Sequence, residues 1–113
     1  MNIKIFKARR GEGKTKWLVE QAQREYDAGK ICYCVGKYEA FADIWAATRY
    51  EACPIEFRRS LSGMPSLPKC DGNLCFFIDE FFLNDAAHDV LLYSKINKDA
   101  TFYITMDADY FVN

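Results

Sequence analysis

The stretch Ala8-Arg9-Arg10-Gly11-Glu12-Gly13-Lys14-Thr15 collects the residue types that handle phosphate. Gly11 and Gly13 let backbone N–H groups converge on phosphate oxygens with no Cβ in the way, and the amides of Arg10 and Glu12 belong to the same turn. Lys14 supplies a cation for the outer phosphates, and Thr15 a hydroxyl for Mg²⁺. A helix starting here adds a partial positive charge of about 0.5 at its N-terminus. Arg9 and Arg10 offset the charge of Glu12, and they equally form a local basic patch suited to weak, salt-sensitive contact with nucleic acid. A second stretch, Leu74-Cys75-Phe76-Phe77-Ile78-Asp79-Glu80, is an apolar run that ends in two carboxylates. At the carboxyl edge of a parallel sheet, such a run puts Asp79 where Mg²⁺ and its waters can be held.

These residues need particular elements to position them. Residues 3–8 alternate apolar with polar and run into the Gly-rich turn, which predicts a short strand entering a loop. Leu18, Ala22 and Tyr26 recur at helical spacing, with Trp17 and Val19 beside them, and Gly29 follows; the pattern predicts a helix over 14–28. Residues 31–35 form a short apolar β-rich strand, and Phe41, Ile44, Trp45 and Thr48 predict a helix over 38–50. Pro54, Gly63, Pro65, Pro68 and Gly72 break up 53–73 into a long loop with room for one short helical or extended piece. Residues 74–78 are a buried strand. Asn84 caps a helix carrying Ala87, Val90, Leu91 and Ile96, and 101–105 is the last strand. Four strands joined by helical crossovers imply one α/β domain over 1–113, a three-layer α/β/α sandwich around a mainly parallel four-stranded sheet.

The first stretch departs from G-x-x-x-x-G-K-[ST] only at Ala8, and it resembles the relaxed Walker A motif that accepts Ala there. The run into Asp79-Glu80 resembles a Walker B strand. Together they make the chain similar to a P-loop NTPase of the additional-strand class, RecA-like and helicase-like, from Ile3 to about Asp107. The resemblance implies a sheet order of first, fourth, third, second strand, ATP with Mg²⁺ as ligands, Asp79 and Thr15 at the metal, and Glu80 activating the attacking water. It further implies a polar sensor at the end of the strand between the two motifs, with Thr105 or Asp107 at that tip. That class usually has a five-stranded core, so a flanking surface is expected from a partner protein or a second copy. Arg49, Arg58 and Arg59 are the candidates for an arginine finger reaching a neighbour. A weaker similarity to thymidine kinases rests on Asp79-Glu80 and Met106-Asp107-Ala108-Asp109-Tyr110-Phe111; Phe81, Phe82 and Leu83 stand where those enzymes carry a Gln.

Composition bounds what else is possible. Half the 113 residues are hydrophobic and 16% aromatic, enough apolar surface to offset chain entropy and to exclude the disordered class. Fifteen Lys and Arg against sixteen Asp and Glu give a net charge of -1, so no global field draws the chain to nucleic acid or to an anionic membrane. No apolar run reaches the ~20 residues of a spanning helix, and MNIKIFKARR lacks the apolar stretch of a secretion signal, which leads us to expect a cytoplasmic protein. Five cysteines without a C-x-x-C pair favour free thiols over a disulfide framework or a zinc site. Three functions fit: a minimal Mg²⁺-dependent ATPase, a non-catalytic modulator of a larger macromolecule, and a kinase-like phosphotransferase covered by the 53–73 loop.

Overall fold

Strand β1 (Asn2–Ala8) opens the chain in the computed structural model, which describes residues 2–35, 38–58, 73–80 and 99–108. Helix α1 (Lys14–Asp27), strand β2 (Ile31–Val35), helix α2 (Glu39–Arg49), strands β3 (Glu56–Arg58) and β4 (Leu74–Ile78), and strand β5 (Thr101–Asp107) follow. All four strand pairings are parallel, and the sheet order is β1-β5-β4-β2-β3.

The strands predicted from the sequence lie in the predicted order, with the last strand between the first and the one that precedes Asp79. Among the described residues the sheet nevertheless has five strands, not four. The extra strand, β3, forms inside the segment expected to be loop and pairs with β2 at the sheet edge. Its three residues are all exposed, so no alternation of apolar and polar residues marks it. What seats it lies beside it. Ile55 is buried, the Tyr38 hydroxyl contacts the backbone carbonyls of Ile55 at 3.2 Å and Cys53 at 3.4 Å, and the Tyr38 ring packs on Phe57. The remainder of the loop, 59–72, and the helix expected around Asn84 to Ile96 lie outside the described residues.

Both helices cover one face of the sheet. Leu18, Val19 and Ala22 of α1 and Phe41 and Trp45 of α2 pack on Cys32, Cys34, Phe77 and Tyr103. The opposite face, with Tyr33, Phe76, Ile78, Phe102 and Ile104, is buried as well, which explains why β4 is apolar at every position. Phe76 stands opposite Phe102 and Phe77 opposite Tyr103 in the ladder; both pairs stack, at 5.2 and 5.1 Å between centroids. The second helical layer of the expected three-layer sandwich falls outside the described residues.

Helix α1 stops where Gly29 permits it. With Gly29 at φ 82°, its N–H reaches the Tyr26 carbonyl at 3.0 Å and the Lys30 N–H reaches that of Glu25 at 3.1 Å, a Schellman closure. At the other end α1 starts directly after the Gly-rich turn, so its first turn faces the carboxyl ends of the parallel strands.

Candidate functional site

The turn after β1 is built by two left-handed glycines, Gly11 at φ 84° and Gly13 at φ 83°. A Cβ at either position would meet nothing within 4 Å, so the demand for glycine is conformational rather than steric. The Glu12 N–H bonds the Arg9 carbonyl at 3.1 Å and closes the turn. Gly13 caps α1 with no side-chain hydrogen bond, and no acidic residue occupies the first helical turn. Amides that a side chain would otherwise satisfy therefore stay available to an anion. Ala8, at the first position of the motif, has no positive φ, so it ends β1 without strain.

Five side chains converge at the carboxyl ends of β4 and β5. Lys14 is 5% exposed; its ammonium donates to the Ala8 carbonyl at 3.3 Å and lies 3.5 Å from Glu80 Oε1. Asp79 is equally buried. Thr15 Oγ1 donates to Asp79 Oδ2 at 2.6 Å, and the fully buried Thr105 hydroxyl donates to Oδ1. Thr105 Oγ1 also accepts from the Glu80 N–H at 2.9 Å. Glu80 carries φ 55°, a strained value for a residue with a Cβ, and the Thr105 bond holds that turn in place.

The electrostatics of this cluster are asymmetric. The Lys14 ammonium faces Glu80, while Asp79 has two hydroxyl donors and no cation within ion-pair distance among the described residues. A buried carboxylate without a countercharge is costly, and each of its oxygens keeps a lone pair after accepting one hydroxyl. The donor set, a carboxylate and a hydroxyl oxygen, is the hard-oxygen type that suits Mg²⁺. No group of three or more His, Cys, Asp or Glu side chains able to hold a metal forms among the described residues, so an ion here would draw its remaining ligands from phosphate and water. Burial above all, then the negative charge of Asp79, pushes the Cys34 thiol far above its usual range and keeps it neutral.

Of the residues singled out in the sequence, Lys14, Thr15, Asp79, Glu80 and Thr105 come together, with Gly11 and Gly13 shaping the turn. Arg10 and Glu12 extend their side chains to solvent, and their contribution to the turn is backbone. Arg49 does not join them. It makes a bidentate pair with Asp27 at 2.7 and 2.6 Å and lies over the Trp45 ring, at the C-terminal end of α1, about 20 Å of helix from Lys14. Arg58 pairs with Glu56 on the edge strand, and Arg59 lies outside the described residues. The double role of the Thr105 hydroxyl, donor to Asp79 and acceptor from Glu80, was not visible in sequence; a hydroxyl residue ending the strand next to the Asp79 strand is its only trace. Among the described residues no helix is long and apolar enough to cross a membrane. Comparison with known proteins finds no family model, no curated protein and no solved structure that matches this chain.

Proposed function

We propose that this chain is a small P-loop-type protein that binds a nucleoside triphosphate, ATP foremost, with Mg²⁺ and hydrolyses it. The observation that carries the reading is the buried Asp79 carboxylate: it bonds Thr15 of the Gly-rich turn's helix, sits beside the Lys14–Glu80 pair, and has no cation of its own among the described residues. Unfilled amides at the start of α1 and the Lys14 ammonium bind the β- and γ-phosphates. Asp79 and Thr15 are the residues that would hold Mg²⁺, which supplies charge neutralisation to the phosphoryl group. Glu80 orients a water and takes its proton as the water oxygen bonds to the γ-phosphorus and the bond to the β-bridging oxygen breaks, leaving ADP and phosphate. The left-handed turn at Glu80, pinned by Thr105, fixes where that carboxylate points.

The test compares wild type with Lys14→Ala and Glu80→Gln, by phosphate release and by the melting temperature in a series of Mg²⁺-nucleotide concentrations. Both variants should lose turnover, whereas Glu80→Gln keeps the nucleotide-dependent rise in melting temperature. One observation favours a non-catalytic scaffold instead: Lys14 is already satisfied internally by the Ala8 carbonyl and Glu80. Background release from all three proteins, with no nucleotide-dependent stabilisation, would select that second reading.

A further inference from the structure

Positive charge is concentrated at one edge of the sheet. Residues 2–17 contain six Lys and Arg against a single acid, Glu12, while the rest of the chain contains nine against fifteen. Lys14 is buried beside Glu80, but Lys4, Lys7, Arg9, Arg10 and Lys16 are exposed. Four of these five lie on β1 and the turn that follows it. Strand β1 ends the sheet: it pairs with β5 on one side, and among the described residues no strand pairs with its other side.

The same strand displays apolar groups between its cations. Ile3 is 40% and Ile5 47% exposed, alternating with Lys4 and followed by Lys7. Phe6, half-buried, stacks on half-buried Trp17 at 5.1 Å between centroids, and the Lys4 ammonium lies 5.3 Å from the centroid of Tyr103. Chain-wide net charge, at -1, conceals this edge entirely. Ile3, Ile5 and Lys7 share one face of β1 and Lys4 the other, so this exposed edge offers phosphate contacts and base contacts together, which suits a strand whose bases are unpaired. A duplex would hide its base faces from Ile3 and Ile5. An anionic bilayer would call for a broader apolar face than one strand of about 23 Å provides.

We propose that the β1 edge and the turn after it bind single-stranded nucleic acid. This surface shares the Gly-rich turn with the Lys14–Asp79 cluster but extends away from it along β1, where Lys4 and Lys7 lie, and the interaction requires no nucleotide. The test titrates the whole chain, without nucleotide, into a fluorescently labelled oligothymidylate and follows anisotropy together with quenching of tryptophan emission, to which Trp17 at this edge responds and the fully buried Trp45 does not. Contacts from Lys4, Lys7, Arg9 and Arg10 predict a log–log salt slope near about -3, a loss of roughly 50-fold between about 50 and 200 mM salt. The double variant Lys4→Gln with Lys7→Gln should halve that slope and weaken binding by about tenfold or more. Its melting temperature reports whether it folds, and Lys7→Gln alone, which spares the Lys4–Tyr103 contact, should lower the slope by about one contact's share. No anisotropy rise at low salt, equal affinity and slope in the variants, or tighter binding to a duplex of the same length or to phosphatidylserine-containing vesicles would overturn the proposal.

Discussion

The Thr15 hydroxyl donates to Asp79 Oδ2 at 2.6 Å, joining residues 64 apart in the sequence. The bond ties the first turn of α1 to the end of β4, which is not a neighbour of β1, because β5 runs between them. Thr105, at the end of β5, completes the link by donating to the other oxygen of the same carboxylate. One buried side chain thus fixes the relative position of a helix start and two strand ends, and phosphate chemistry needs those three elements in register.

Replacing Thr105 with the nearly isosteric Val isolates this link. The variant leaves the buried Asp79 Oδ1 and the Glu80 N–H without their partner, which should cost about 1–3 kcal/mol. Urea denaturation should show the midpoint falling with the slope unchanged. Thr105→Ser keeps the hydroxyl and should lose distinctly less; a loss from Thr105→Ser as large as that from Thr105→Val would mean that packing of the methyl group matters as much as the hydrogen bonds.

Glu80 separates folding from chemistry. Its left-handed backbone, at φ 55°, is unfavourable for Glu and tolerated by Asn. Glu80→Asn should therefore relieve up to about 1 kcal/mol of backbone strain, but it also takes the countercharge from the buried Lys14 ammonium, so that net stability falls below wild type. Phosphate release should disappear in the same protein. A variant that retains turnover would remove Glu80 from the proposed reaction.

How legible this was in the sequence varied with the type of signal. The β1–turn–α1 unit could be read because alternation, two glycines and helical spacing meet within residues 3–28, and the apolar run of β4 because both faces of that strand are buried. Strand β3 was hidden: its pairing with β2 depends on the burial of Ile55 and on Tyr38, which lies on the far side of α2 in sequence, and none of its own side chains is buried. The same limit applies to the site. Residue types announced Lys14, Thr15 and Asp79, but the roles of Thr105 and of the Glu80 backbone depend on the parallel register that sets Ile78 opposite Ile104. The expected sheet order already put β1 at an edge, but its alternation did not show that Ile3 and Ile5 stay in solvent.

Gly13 and Gly29 offer a matched pair for testing the turn. Their φ angles are 83° and 82°, and a Cβ added at either would have no atom within 4 Å. Gly13→Ala and Gly29→Ala should each destabilise the fold by about 1 kcal/mol through backbone strain alone. Only Gly13→Ala should also reduce the rise in melting temperature with Mg²⁺-nucleotide, because only that glycine shapes the turn whose amides we propose bind phosphate. Equal loss of nucleotide response in both would mean that global stability, not the turn, governs binding.

The Asp27–Arg49 pair supplies a pH signature at the far end of α1. The guanidinium, through its hydrogen bonds first and then its charge, outweighs slight desolvation and holds the Asp27 carboxyl below its ordinary value of 3.8. A carboxylate whose folded-state pKa is depressed contributes stability above its unfolded pKa and loses it as pH falls through the folded value. The difference in melting temperature between wild type and Asp27→Asn should accordingly stay constant from neutral pH down to about 5, then shrink below about 4 as Asp27 takes up a proton. Arg49 also lies 5.1 Å over the Trp45 ring, so Arg49→Gln removes a second contact. Its deficit should persist in part at acid pH, where that of Asp27→Asn has closed. A gap for Asp27→Asn that widens on acidification would contradict the assignment of the pair as the source of the effect.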